Sequence, residues 1–219
     1  MTGTSAAAAA IVPQSEIEAA AIIGSAARAG TPVELLGGGT KRAIGNPANA
    51  QLTLSSAGMS GIVAYEPTNG DHRQAGTPLA EIKAELARNG QRFSFEPADW
   101  RGLMGTTGTP TIGAVAATNN SGPRRFVAGA ARDSLLGVRF VNGEGAIVKN
   151  GGRVMKNVTG LDLVKAMAGS WGTLGFLTEV TFKVQPVPET EATLVLHGLT
   201  DVEAATAMAA GPDGGPTPE

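Results

Sequence analysis

The chain contains no cysteine. Disulfide bridges, iron–sulfur ligation and thiolate zinc sites are therefore excluded from it. The same absence agrees with a cytoplasmic protein. Histidine is nearly as scarce. His72 and His197 are the only two, with no HxxxH-type spacing between them, so no metal site is expected. Aromatic residues are 4% of the 219, too few for a base-stacking platform. Charged residues are 16% and the net charge is −2, so the basic excess of a nucleic-acid surface is missing. No apolar run reaches the ~18 residues of a membrane span. The alanine run ending at Ile11 lacks the preceding positive charge of a signal peptide.

The chain is instead rich in glycine, 31 residues, with 13 prolines. Its length suits one large domain or two small ones with a real core. The small residues concentrate. Residues 111–125 read Thr-Ile-Gly-Ala-Val-Ala-Ala-Thr-Asn-Asn-Ser-Gly-Pro-Arg-Arg. This stretch is too polar at its end for a core helix and too small-sided for a core strand. Small residues in series let a backbone approach something closely. Asn119, Asn120 and Ser121 offer hydrogen-bond donors, and Arg124 and Arg125 follow with charge. Two readings stand: a turn between packed elements, or a loop along an extended, phosphate-bearing ligand. Gly37-Gly38-Gly39-Thr40-Lys41 follows a short apolar strand and can form an anion-binding nest, with Lys41 or Arg42 adding charge. It matches neither GxGxxG nor GxxxxGK[ST], so neither a dinucleotide Rossmann fold nor a P-loop is indicated. Residues 169–175, Gly-Ser-Trp-Gly-Thr-Leu-Gly, form a third such loop.

Between these loops the pattern predicts ordinary elements. Residues 1–14 read as a disordered tail. Ser15 and Glu18 make a capping box for a helix over 16–29, ended by Gly30. Strands are expected at 33–36, 52–54 and 62–65. Residues 69–74, Asn-Gly-Asp-His-Arg-Gln, have no strand pattern and read as a loop or weak edge with His72 in solvent. Thr77-Pro78 starts a helix with Thr as cap, burying Leu79, Ile82 and Leu86. Residues 93–95 read as a strand and 100–104 as a helical turn. Residues 135–149 form a hairpin around Asn142-Gly143-Glu144-Gly145. Thr159 caps a helix over 160–168, and 176–184 is a buried strand. Residues 192–198 suggest a further strand holding His197, and 201–210 its helix. A strand and a helix with no partner suggest a chain cut inside a second domain.

The order and wording of these segments resemble the FAD-binding domain of the vanillyl-alcohol oxidase/PCMH-type flavoproteins. Within that superfamily they are most similar to the FAD-binding subunits of glycolate oxidases. The segments that carry the resemblance are Leu36-Gly37-Gly38-Gly39-Thr40-Lys41, Ala75-Gly76-Thr77-Pro78-Leu79-Ala80, Ser121-Gly122-Pro123-Arg124-Arg125, Ala131-Arg132-Asp133, Val154-Met155-Lys156-Asn157-Val158-Thr159-Gly160 and the stretch from Met167 to Gly175. The resemblance spans about residues 15–190. It implies a two-lobed α+β domain, with lobes of about 15–55 and 56–190. The larger lobe has a mostly antiparallel sheet flanked by helices, and 191–219 begins a truncated C-terminal domain. It implies a pyrophosphate site at Gly37, Gly38, Gly39, Thr40 and Lys41. Ile112, Gly113, Ala117, Thr118, Asn119, Ser121 and Gly122 would run along the pyrophosphate and ribityl chain. Gly172, Gly175, Phe176 and Leu177 would lie near the flavin or adenine.

The chain departs from the family in three ways. The usual apolar strand before Ala75-Gly76 is short and polar here, Ala114 replaces a frequent glycine, and no histidine follows the first glycine loop. FAD should accordingly be held non-covalently. The resemblance further implies a subunit that oxidises a small 2-hydroxy acid such as glycolate, with catalysis shared with a homologous flavoprotein subunit and an iron–sulfur subunit. The protein would be cytoplasmic, reaching a membrane only through partners. No catalytic base is evident; Arg125, Arg132 and Lys156 are equally readable as structural. The alternative is a non-catalytic assembly module that binds FAD weakly or not at all. A stand-alone oxidase is a third reading.

Overall fold

The computed structural model describes residues 9–46, 49–66, 70–152 and 161–210. The expected segment 154–160, with the Thr159 cap, lies outside them. In chain order the elements are α1 (Glu16–Arg28), β1 (Val33–Leu36), β2 (Leu52–Ser55), β3 (Ile62–Glu66), β4 (Gly70–Gln74), α2 (Leu79–Arg88), β5 (Gln91–Arg92), α3 (Arg101–Met104), α4 (Ile112–Thr118), α5 (Arg125–Ala128), α6 (Ala131–Ser134), β6 (Leu135–Val141), β7 (Ile147–Gly151), α7 (Leu163–Met167), β8 (Phe176–Phe182), β9 (Gln185–Pro186) and α8 (Asp201–Ala210). The fold class is α+β. A five-stranded antiparallel sheet has the order β3-β4-β8-β6-β7, β1 and β2 pair in parallel, and β5 pairs with β9.

Ser15 starts α1 as expected, its hydroxyl accepting from the Glu18 N–H at 3.2 Å. Glu18 reaches back to the N–H of Gln14 at 2.7 Å, one residue before the cap. Gly30, at φ +64°, turns the chain out of the helix. Ahead of α1 the chain is paired, since Ile11 donates to Thr53 and accepts from Ser55. The other face of α1 holds Ala19 and Ile23 against Leu54, Met59, Val141 and Phe176. That cluster joins the parallel pair to the end of the large sheet. The main core lies between the large sheet and α2, α4 and α7. Its densest part is Phe93, Phe95 and Phe182, with ring centroids 5.1–5.7 Å apart.

The polar segment expected as a loop is strand β4, and it lies inside the sheet between β3 and β8. Alternation explains it. Asp71 and Arg73 point to one buried face and pair at 2.5 Å, and the Tyr65 ring lies 5.9 Å from the guanidinium. His72 points to the other face and meets Glu179 of β8 at 2.9 Å, so it is not a solvated residue. Two charges can occupy a core strand when they neutralise each other. Other expectations also shift. Phe93 and Phe95 are buried without strand pairing, because only Gln91–Arg92 find a partner. Pro78 caps α2; the Thr77 hydroxyl instead donates to the Gln74 carbonyl at 2.6 Å and accepts from the Gly61 N–H at 2.9 Å. Helix α7 is shorter than expected and is capped by Asp162. The hairpin at 135–149 forms as expected, with the Asn142 side chain accepting from the N–H groups of Glu144 and Ala146.

Residues 188–219 form a second compact unit, described to Ala210. Its helix α8 forms over the expected residues, with Thr200 and Glu203 exchanging bonds at the N-terminus. No strand forms over 192–198, because no partner strand is present among the described residues to satisfy its backbone.

Glu16 ties α1 to the sheet. Its carboxylate accepts from Arg139 of β6 at 3.2 Å, with a second, shorter bond to the same guanidinium, and from Thr178 of β8 at 2.7 Å. Burial alone would push this carboxyl up, but the bonds from Arg139 and Thr178 and the Arg139 charge hold it below the ordinary 4.5. A lowered folded-state value gives stability that is full above the unfolded value and lost as pH falls through the folded one. Glu16→Gln should therefore cost about 1.5–3 kcal/mol near neutrality. The loss should shrink in acid, as read from urea unfolding at several pH values.

Candidate functional site

The three small-residue loops converge. The loop 37–41 leaves β1, α4 stands beside it, and the loop 169–175 enters β8. Together they border a cleft of 550 Å³ within the first unit, residues 1–187. A second cleft of 320 Å³ adjoins it and shares Lys41, Thr118 and Trp171. Gly37, Gly39, Thr40, Lys41, Gly113, Ala117, Thr118, Gly172, Gly175, Phe176 and Leu177 line the larger cleft. Asn119, Ser121 and Gly122 line the smaller one. Gly38 and Ile112 line neither; Ile112 is fully buried in the core.

The stretch 111–125 is not a loop along its first half. Residues 112–118 form α4, whose small side chains suit close packing rather than a turn. Gly113 donates to the Ala75 carbonyl at 2.8 Å, and a Cβ there would lie 2.8 Å from that oxygen. Gly122, at φ +76°, would drive a Cβ into the Glu96 carbonyl. Both glycines thus make room for the chain's own backbone. The side chains expected to donate to a ligand are also engaged internally. The Ser121 hydroxyl donates to the Asn119 carbonyl at 2.8 Å, the Asn120 amide closes on Ala98 at 2.9 Å, and the Asn119 side-chain oxygen accepts from the Arg132 N–H at 2.9 Å. Arg124 pairs with Glu96 at 2.9 Å.

The loop 37–41 is different. A Cβ on Gly38 would overlap the Thr109 carbonyl, and one on Gly108 would overlap the Gly38 carbonyl, so the loop is locked from behind. Its front is open. Gly39 takes φ +72° with nothing within 4 Å of the Cβ direction. Among the described residues, the main-chain N–H groups of Gly38, Gly39, Thr40 and Lys41 donate to no backbone carbonyl. Such a run of free N–H groups is an anion nest. Arg42 is not its cation, because its guanidinium donates two hydrogen bonds to the Glu34 carboxylate, at 2.9 and 2.6 Å. Lys41 makes no ion pair among the described residues. Burial pushes its ammonium below the ordinary lysine value, and the Asp99 charge draws it partly back. Nothing in the residue pattern signals the Glu34–Arg42 pair. In sequence Trp171 is one residue of a glycine loop. Its left-handed φ of +54° appears only in the structure.

A cleft bordered by free amides, one lysine and apolar side chains suits an extended nucleotide cofactor and defines the class of domain. The chain belongs to the FAD binding domain family, whose model matches residues 7–151. It is 39% identical over 165 residues to the glycolate oxidase subunit GlcE of Escherichia coli, covering 75% of this chain and 45% of that protein. It is 29% identical over 187 residues to the glycolate oxidase subunit GlcD of Bacillus subtilis, covering 84% and 38%. It is also 29% identical over 177 residues to a D-lactate dehydrogenase of Archaeoglobus fulgidus, covering 80% and 38%. The chain thus spans less than half the length of these relatives. Among solved structures, an alkyldihydroxyacetonephosphate synthase matches with TM-score 0.63 at 22% identity, covering 82% of this chain and 32% of that one. A berberine bridge enzyme matches with TM-score 0.63 at 18% identity, covering 82% and 34%. Both share the fold.

The residues present fit FAD. The free amides of 38–41 and the Lys41 ammonium suit a diphosphate, and neutral amides hold it without a metal. A diphosphate beside Lys41 would raise its proton affinity back toward the ordinary value. Affinity for FAD is then full below the free-state value of Lys41 and falls as pH rises through it. Titrations across the alkaline range should show this fall in the native chain and a flat profile in Lys41→Met. The variant should bind roughly tenfold or more weakly at neutral pH, the worth of one charge-assisted bond.

Proposed function

We propose that this chain is the FAD-holding part of a 2-hydroxy-acid oxidising flavoprotein complex of the glycolate oxidase type. What carries the reading is one conjunction: the 39% identity to a glycolate oxidase subunit falls on a chain whose three small-residue loops border one cleft. FAD, when bound, supplies a hydride and electron acceptor. The loop 37–41 and Lys41 hold the diphosphate. The segments at 112–122 and 172–177 form the walls. The cofactor is held non-covalently, since the chain has no cysteine and no histidine near the first glycine loop.

The cleft has few groups for proton chemistry. Glu34 and Arg42 neutralise each other at its rim, and Lys41 belongs to the diphosphate. No described side chain in the larger cleft is placed as a base for a substrate hydroxyl. Substrate oxidation is therefore shared with a homologous flavoprotein subunit, and electrons leave through an iron–sulfur subunit. The second reading, an assembly module with weak or no FAD, is favoured by this lack of a base. The polar segment 70–74 does not favour it, because β4 is present.

The test is the absorption spectrum of the purified chain, with and without added FAD, followed by anaerobic glycolate or D-lactate in the presence of the homologous subunit. Flavin bands near stoichiometry, bleached by the hydroxy acid, support the proposal. A colourless chain that excess FAD does not reconstitute leaves the assembly module.

A further inference from the structure

We infer that the Trp171 indole is a stacking plate for an aromatic ring of the cofactor, set at the junction of the two clefts; this rests on the FAD reading above. Among the described residues only Asn119 and Trp171 combine a side chain with a left-handed φ, at +48° and +54°. Asparagine tolerates that conformation and ends α4 with it. A bulky indole does not, and such strain persists only where the surroundings dictate it.

The surroundings here do so. The Trp171 N–H donates to the Ala117 carbonyl at 2.8 Å, and the Gly169 N–H donates to the Ala116 carbonyl at 3.2 Å. The loop is thereby clamped to the end of α4. Gly169 and Gly172, at φ +86° and +80°, release the chain on either side. Packing uses only part of the indole, which remains 50% exposed and so keeps surface for a ligand. What the conformation achieves is position: Trp171 borders both clefts together with Lys41 and Thr118. A ring carried from a diphosphate at Lys41 into either cleft would have Trp171 on the border of that cleft. A flat, half-exposed aromatic beside a bound aromatic ring stacks on it. Flavin and adenine share this chemistry, and the experiment separates them.

In a Trp100→Phe background Trp171 is the sole indole. ADP does not absorb at the indole's emission, so quenching by ADP assigns adenine. Flavin quenches any nearby indole by energy transfer, so the flavin is assigned instead by an FMN affinity that falls in Trp171→Gly while the ADP affinity does not. In the full chain, Trp171→Gly should lower the thermal midpoint of the cofactor-free protein by only about a few degrees, because the released strain offsets part of the packing and chain entropy that are lost. It should weaken FAD binding by about tenfold or more, with Trp171→Phe close to native. FAD affinity within about twofold of native in Trp171→Gly overturns the inference. So does a cofactor-free Trp171→Gly that fails to fold, which marks the indole as packing. Absence of FAD binding by the native chain overturns the proposed function itself, and this inference with it.

Discussion

Arg73→Met should be the most destabilising single change in the large sheet. It leaves the Asp71 carboxylate buried on an interior strand with no partner charge, at a cost of about 3–5 kcal/mol. For a chain of this size that is a fall in midpoint on the order of 10 °C. Burial already pushes the Asp71 carboxyl above its ordinary value, and Arg73 draws it only partly back. Without Arg73 the carboxyl takes a proton more readily still. The folded-state value then lies further above the unfolded one, so the variant loses stability as pH rises between the two. Urea unfolding should show Arg73→Met least impaired in mild acid. Replacing both residues, Asp71→Leu with Arg73→Met, should recover most of the loss, because a matched apolar pair avoids both desolvation costs. A single variant as stable as the native chain would show that the pair carries no weight in the sheet.

Gly38→Ala should have the largest effect on cofactor binding. The added methyl points away from the cleft, into the Thr109 carbonyl. The loop and the segment at 108–109 must separate, which costs about 1–3 kcal/mol of stability as overpacking. The free amides lose their common direction. Retention of FAD should then fall at least tenfold, about 1.4 kcal/mol, measured by isothermal titration. Gly39→Ala provides the contrast. Its Cβ meets nothing within 4 Å, so only the φ of +72° opposes it, at about 1–2 kcal/mol. Near-native FAD affinity in Gly38→Ala would show that the backing of the loop does not set its shape.

These variants mark where sequence and structure part. The glycine loops, the periodicity of α1 and α2 and the hairpin around Asn142 are local signals. Each is written in the residues that adopt it: a cap, a turn, a repeat of apolar side chains. They suffice for most elements of the first unit; the α+β class and a shared cofactor site are expected from the resemblance of the ordered segments to FAD-binding domains. The roles within those loops are not local. Gly113 and Gly122 read the same as Gly39 in the sequence, yet the first two face Ala75 and Glu96 and only the third faces open space. Asn120 and Ser121 read as ligand donors, yet each finds a backbone partner distant in sequence.

The sequence by itself determined the family and most elements of the first unit, because these depend on residue type and short spacing. Only the tertiary structure decided that Gly70–Gln74 is an interior strand, since a charged residue enters a sheet only when its counter-charge is there to meet it. Only the tertiary structure decided, too, which glycines support the cleft from behind and which open onto it. That choice depends on what lies a few ångströms from each Cα, and on nothing in the neighbouring letters.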